Sequence, residues 1–356
     1  LEPTTPGTKV YNSFLGFQVD TTIIPENLAS YLAHDEIQER LQKLAESRDP
    51  VKLITGSFSW EYQDLALYGK DDLKFVRYYE SEAADRDFDL GYGWTTNYTY
   101  RLEIEPLFAK VTLPGGGRLY FERNYDGTYR TVGDYTLERS SGNLILRHKD
   151  GTVYLFDENC LVRTIAYQNG NTIHLGYTAD KITSISNDAG SFTLAYDGGK
   201  LASLTDSVGR TVIFSYDGDT LTGVQNPDGD SFVYEYDTNG LLATVSNLKG
   251  QIYVENTYDE KGRVTHQYAA EMGVFDFTYD EENRVNTCTG TDGYLLELRY
   301  DQRGWPVSFT NAAGTWSITV NDLGQVTSDT DREGNTTTYQ HDAEGNISRI
   351  TYPDGT

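Results

Sequence analysis

A Tyr-Asp pair returns about every twenty residues through the last two-thirds of the chain, at Tyr196-Asp197, Tyr216-Asp217, Tyr236-Asp237, Tyr258-Asp259, Tyr279-Asp280 and Tyr300-Asp301. Looser copies at Phe156-Asp157, Tyr177, Val320-Asn321 and His341-Asp342 extend the series, and from residue 156 the separations are 21, 19, 20, 20, 22, 21, 21, 20 and 21. A constant period of this size restricts the chain to a serial architecture, in which each unit buries its apolar side only against its neighbours. Such an array builds a surface or an enclosure before it builds a pocket.

Each period contains two turn signals. The first follows the Tyr-Asp pair, as in Asp237-Thr238-Asn239-Gly240, Asp259-Glu260-Lys261-Gly262, Asp301-Gln302-Arg303-Gly304 and Asp342-Ala343-Glu344-Gly345. The second lies half a period later, at Asn187 to Gly190, Asp206 to Gly209, Asn226 to Gly229, Asn247 to Gly250, Asn311 to Gly314 and Asp331 to Gly334. Asp or Asn first and Gly fourth marks a type I turn, where the side chain accepts from nearby amides and Gly takes the positive φ. Each repeat is therefore predicted to be a β-hairpin, with successive hairpins joined into one antiparallel sheet. The turns after Tyr177 and Tyr196 are a residue short, and Asn283 stands where Gly is expected, a residue type that tolerates the left-handed conformation.

Apolar residues stand six and nine places after the repeat aromatic: Leu242 and Val245, Val285 and Cys288, Ile347 and Ile350. A gap of three cannot keep both side chains on one face of a regular strand. The spacing predicts a bulge in each repeat, or a sheet covered in part on both faces. A bulge in every unit adds twist, so the sheet is expected to coil and enclose a volume.

Two zones precede the array. In residues 1–49, Pro25 opens a stretch with Leu28, Tyr31, Leu32, Ile37, Leu41 and Leu44 at helical spacing, with acidic residues at its start and Lys43 and Arg48 at its end, predicting an amphipathic helix over about 26–47. Residues 50–135 alternate as strands do, in Leu53 to Trp60 and Leu73 to Tyr79, and carry a glycine-aromatic knot, Gly91-Tyr92-Gly93-Trp94. Pro114-Gly115-Gly116-Gly117 lacks the Lys-Ser/Thr of a phosphate loop and is read as a hairpin turn. Residues 136–356 hold about ten repeats.

The Tyr-Asp-x-x-Gly-x-hydrophobic frame, over roughly 150–356, resembles the RHS or YD-repeat family. Asp49-Pro50-Val51, Thr55-Gly56, the aromatic strand to Tyr79 and Leu90-Gly91-Tyr92-Gly93-Trp94 resemble the domain that often leads into such repeats. The resemblance implies a mainly β fold in which YD hairpins coil into a partial shell or barrel, behind a small β domain and a short N-terminal helix. It also implies a secreted or cell-surface bacterial protein whose shell encloses a C-terminal effector, often a toxin. In some members a core segment cleaves its own chain by aspartyl chemistry. This chain begins at Leu1 and ends at Thr356 inside a repeat, so it reads as part of a longer protein, and a self-cleaving segment or an effector, where the full protein has them, is expected outside it.

Composition narrows the chemistry. The 54 acidic against 29 basic side chains give a net charge of −25, which repels nucleic acid and anionic lipid. No run of 18 apolar residues encodes a membrane-spanning helix. Cys160 and Cys288, at different positions in their repeats, are not expected to bridge. The five histidines (His34, His148, His174, His266, His341) are not at metal-ligand spacing, and Asp-Gly-Asp at 217–219 and 228–230 lacks the ligand ladder of a calcium loop. No Gly-x-Ser-x-Gly elbow occurs, and neither cysteine has a base near it in sequence. No catalytic residue, cofactor or metal is therefore expected. The residues singled out are structural: Tyr196, Asp197, Tyr216, Asp217, Tyr236, Asp237, Gly240, Tyr258, Asp259, Gly262, Tyr279, Asp280, Tyr300, Asp301 and Gly304. The expected partner is the remainder of the same chain. The alternative is an adhesive surface that uses exposed repeat aromatics to bind a cell-surface glycan or protein.

Overall fold

The computed structural model describes residues 51–356 apart from 141, 323–324 and 343–346, together with two short paired strands, β1 (Val10–Asn12) and β2 (Phe17–Val19). The helix expected over about 26–47 lies outside the described residues. From β10 (Tyr135–Ser140) to β31 (Ile347–Thr351), 22 strands form one antiparallel sheet in strictly sequential order. Residues 58–257 form one compact unit, and residues 258–356 with the segment up to 57 form a second.

In the first unit the array strands alternate as their sequence does. In β18 (Thr211–Asp217) Val212 and Phe214 are buried while Ile213 and Ser215 are exposed, and in β16 (Gly190–Asp197) Phe192 and Leu194 are buried while Thr193 and Ala195 are exposed. One face of the sheet is thus a core face, which period-two patterning requires.

The register breaks where the spacing argument places it. Between β20 (Ser231–Tyr236) and β21 (Leu242–Asn247), Tyr236 pairs with Leu242 but Glu235 pairs with Thr244, so Ala243 is an extra residue. That insertion puts Leu242 and Val245 in the core together, each fully buried. Register shifts fall at the same repeat position at Phe156, Tyr177, Tyr196, Tyr216, Tyr300, Val320 and His341. The Tyr279 repeat differs: Tyr279 pairs with Asn286 and Thr278 with Thr287 without a shift. There the extra residue goes into the turn, and the positive φ falls on Arg284 (55°), not on Asn283 as expected. The bulge is therefore not in every repeat. At the far end Ile347 is half-buried and Ile350 exposed, because β31 has a neighbour on one side only.

Ahead of the array in the first unit, β4 (Ser57–Leu67), β5 (Leu73–Glu80) and β6 (Trp94–Thr96) pair antiparallel. A second sheet joins β7 (Arg101–Ile104), β8 (Phe108–Thr112) and β9 (Arg118–Glu122). The glycine run closes the β8–β9 hairpin as a single 3-10 turn over Pro114–Gly116, with Gly115 and Gly116 both at positive φ.

Candidate functional site

The most built place in the first unit is the seam between the leading strands and the array. It is assembled from backbone groups that the bulges release. The ladder between β19 (Thr220–Gln225) and β20 ends at the pair Gly223–Val233, leaving the Leu221 carbonyl without a strand partner. Tyr236, three residues past Val233, donates its hydroxyl to that oxygen at 2.8 Å. Tyr196 does the same for Ile182 O (2.9 Å) and Tyr216 for Leu201 O (2.9 Å). In the second unit Tyr279 donates to Val264 O at 2.6 Å. The repeat tyrosine therefore satisfies an acceptor that its preceding repeat would otherwise bury unpaired.

The amides at the same bulge position point out of the sheet, and leading residues take them. Leu201 N donates to Asp89 O and Leu242 N to Tyr79 Oη, each at 2.9 Å. One residue before the equivalent position in the Phe156 repeat, Leu161 forms an isolated bridge with Arg101 while its own amide donates to Asp157 Oδ1 at 3.0 Å. In the second unit Val264 N donates to Gly56 O at 2.8 Å. The glycines of the leading motifs are fixed by this approach. A Cβ on Gly91 (φ 99°) would meet Asp219 O at 2.9 Å, and one on Gly93 (φ 79°) would meet the Tyr79 ring at 2.6 Å. Gly56 (φ 72°) is tighter: its Cβ would lie 2.5 Å from Arg263 Cβ and 2.6 Å from Tyr279 Oη.

At the centre of the seam a fully buried ion pair sits in an aromatic box. A bulge at Gln63/Leu65 turns both Asp64 and Leu65 inward from β4, and Arg77 stands on the apolar register of β5. Arg77 Nε donates to both Asp64 oxygens at 2.9 and 2.7 Å, and Nη1 donates to Tyr234 Oη at 2.5 Å. The guanidinium lies 5.4–5.8 Å from the ring centroids of Tyr62, Trp94, Phe232 and Tyr234. Burial works against its charge, but the Asp64 carboxylate beside it holds the Arg77 pKa above the ordinary range. Burial likewise pushes the Tyr234 hydroxyl up to about 12, so it stays a neutral partner for the cation. Trp94 Nε1 donates to Tyr236 Oη at 2.8 Å, and Lys200 pairs with Asp87 and Lys181 with Asp89.

The remaining sequence-selected residues serve turns. Asp237 Oδ1 accepts from Asn239 N (2.9 Å) and Leu241 N (2.8 Å), with Gly240 at φ 81°. Asp259 accepts from Lys261 N, Arg263 N and Arg263 Nε with Gly262 at φ 77°, and Asp301 repeats this with Arg303 and Trp305, with Gly304 at φ 85°. Asp280 accepts from Asn283 N at 2.9 Å. Asp197 and Asp217 instead end strands and pair across two-residue turns with Lys200 and Thr220; the Tyr216 repeat is short as well, which the sequence reading missed. Tyr258 closes β22 (Ile252–Tyr258), and Tyr300 pairs with Pro306 while its amide donates to Arg284 O at 3.1 Å. Of the seam, sequence reasoning marked Tyr236 and the knot but not Arg77 or Asp64.

Residues 143–256 match the family described as teneurin YD-shell, residues 320–356 match RHS repeat, and residues 48–113 match a domain of unknown function, DUF6531. Among curated proteins, the probable deoxyribonuclease RhsB of Dickeya dadantii (strain 3937) is 26% identical over 141 residues, covering 33% of this chain and 10% of that protein. Among solved structures, the TcdB2-TccC3-Cdc42 crystal structure aligns at 11% identity over 84% of this chain and 20% of that one, with a TM-score of 0.45. The Photorhabdus luminescens Tc holotoxin pore aligns at 12% identity over 79% of this chain and 22% of that one, with a TM-score of 0.41. The chain spans about a tenth of the length of the curated relative and about a fifth of those solved chains.

Proposed function

From the chain's membership of the RHS/YD-repeat family, we propose that it is a non-enzymatic wall segment of a larger secreted or surface protein, coiled into part of a shell that encloses or delivers a C-terminal effector. The observation that carries this reading is the seam. The leading strands occupy the row of outward amides and bury Arg77, Asp64 and Trp94 against the array, as a closing element of a container would. The described repeat tyrosines favour the same reading over a glycan-binding ladder, since four of them spend their hydroxyls on backbone carbonyls. The deoxyribonuclease name of the curated relative belongs to a protein about ten times the matched length, and we place any such activity outside this segment.

The test uses the full-length protein. With the wild-type seam, the polypeptide beyond residue 356 should resist limited proteolysis. Trp94→Ala combined with Tyr236→Phe should open the seam and speed its cleavage. Equal cleavage rates for that region within the wild-type protein and expressed alone would sink the container reading.

A further inference from the structure

In residues 58–257 the leading residues meet the outward amides of the array one by one, with a single gap. Tyr79 Oη accepts from Leu242 N, Asp89 O accepts from Leu201 N, and Gly91 lies over Leu221 N, which a Cβ there would approach to 3.1 Å. Ile182 holds the same position one repeat earlier. Between β14 (Thr172–Thr178) and β15 (Lys181–Asn187), Tyr177 pairs with Ile182 and Thr178 with Lys181, just as Tyr196 pairs with Leu201 and Asp197 with Lys200. Ile182 O accepts from Tyr196 as Leu201 O does from Tyr216. The Ile182 amide therefore points outward as the Leu201 amide does, but no acceptor meets it among the described residues. The leading chain has left the row there: after Asp89 it turns away through β6 and returns at Arg101, opposite Leu161.

The tyrosine of the same repeat is also left over. Tyr177 stands three residues past the pair Thr164–His174, the place from which Tyr196, Tyr216 and Tyr236 each donate to a carbonyl of the preceding repeat. Its hydroxyl has no hydrogen-bond partner among the described residues, and burial raises its pKa, so it stays a donor. Tyr177 and Ile182 are both half-buried and line one cavity of about 360 Å³. Buried Phe88, Leu102, Ile185 and Leu194 supply its apolar wall. Its charges do not suit an anion: Arg101 and Lys181 are both engaged with Asp89, and exposed Asp180 has no ion pair among the described residues.

We propose that this cavity binds a segment of extended, uncharged polypeptide, whose carbonyls take Ile182 N and the Tyr177 hydroxyl and whose large apolar side chain enters between Leu102 and Leu194. Peptide carbonyls are what the row uses elsewhere: Asp89 O at Leu201 and, in the second unit, Gly56 O at Val264. An extended segment carries a carbonyl at every residue, ~3.3 Å apart, so one segment serves donors on adjacent strands about 4.8 Å apart. The cavity volume lies at the lower end of the ~300–1,000 Å³ usual for ligand sites. The site stands whether or not the chain encloses an effector.

Calorimetric titration of the whole chain with the capped peptide acetyl-Ala-Leu-Ala-amide should show binding. The same peptide with Ala or Asp at its centre should bind about tenfold more weakly or less, having lost the apolar side chain. Tyr177→Phe should weaken binding about fivefold, the worth of one neutral hydrogen bond, with no loss of stability, because its hydroxyl has no partner to lose. Ile182→Pro should weaken it at least as much, and Pro306 already holds the equivalent position in the Tyr300 repeat, so the fold accommodates it. Should Ile182→Pro fail to fold, slower hydrogen exchange of the Ile182 amide on adding the Leu peptide takes its place. The proposal is overturned if the Leu peptide does not bind, if its Ala counterpart binds equally, or if either variant binds like the wild type. Cyclohexanone or toluene binding as tightly as the Leu peptide would also overturn it, by making the cavity a small-molecule site.

Discussion

Replacing Arg77 with Met should be among the most damaging single changes in residues 58–257. The side chain is fully buried, and its removal leaves the Asp64 carboxylate with no exposed surface and no countercharge. Breaking a buried pair from one side typically costs about 3–5 kcal/mol, because the remaining charge must stay desolvated or take up a proton. The Tyr234 hydroxyl also loses its partner, a penalty of about 1–3 kcal/mol that partly overlaps with the first. Asp64→Leu alone should cost a similar amount, since it strands the guanidinium. The double variant is the informative one. With both charges gone, Met and Leu fill an aromatic box that is already apolar, and the fold should return to within about 2 kcal/mol of the wild type. The two single costs should therefore exceed the double cost by about 4 kcal/mol or more. Urea titration with hydrogen exchange read on peptides from 58–257 measures all three variants in the relevant unit. Raising salt to about 1 M should leave the difference intact, since buried charges escape screening. Additive losses in the double variant would refute the account, as would an Arg77→Met cost below about 1 kcal/mol.

Three further outcomes follow from the same geometry. Gly56→Ala should destabilise by about 3 kcal/mol or more, because left-handed strain adds to the clash with Arg263 and Tyr279; Gly240→Ala, at φ 81° with open space around its Cβ position, should cost only about 1–2 kcal/mol, and equal losses in denaturant titration would contradict the crowding argument. Tyr236→Phe strands both Leu221 O and Trp94 Nε1 and should cost about 2–3 kcal/mol, whereas Tyr279→Phe, which frees one carbonyl, should cost about 1–2 kcal/mol in the same assay. Burial opposes the charge of the Asp157, Asp206 and Asp259 carboxylates, but backbone amides and the arginine six residues after Asp157 (Arg163) or four after Asp206 and Asp259 (Arg210, Arg263) hold each below the usual range. Their folded pKa values are lowered, so their stabilisation is complete above about pH 4 and is lost as pH falls through the folded values; Tm should drop with acid below about pH 4, less steeply in Asp206→Asn, and a flat profile would contradict this.

The hairpins and their turns were legible because the conformational demand and the residue that meets it sit within five positions, as in Asp237 to Leu241. The bulge was legible from the three-residue gap between Leu242 and Val245, but its absence at Tyr279 was not, since turn and strand can each absorb one extra residue with the same net register. The seam was legible in part. Arg77 shares the apolar register of Leu73, Phe75 and Tyr79, which already pointed inward, so a buried cation could have been read there. Asp64 could not, because the bulge that turns it inward has no local signature. Partners such as Tyr234 lie 157 residues from Arg77 in sequence, a pairing that no local pattern encodes.

The geometry also explains why tyrosine and aspartate are neighbours in the repeat. An inserted residue in the strand frees one carbonyl and one amide, and a sheet that buries either unpaired would lose what its packing gains. The carbonyl faces the next repeat, where a side chain long enough to cross the opened ladder is needed, and the tyrosine hydroxyl reaches it from three residues past the last pair. In the full-length turns at Asp237, Asp259 and Asp301, the following aspartate closes the turn that sets this tyrosine's position, by holding the amides two and four residues ahead. Tyrosine thus fastens a repeat to the one before it, and aspartate fastens the repeat to itself. The freed amide is left for something outside the array, and at Leu201, Leu242 and Val264 the leading residues accept it. Where the Tyr300 repeat places Pro306 at that position there is no amide to offer, so a docking segment that reads amides gains no hydrogen bond there.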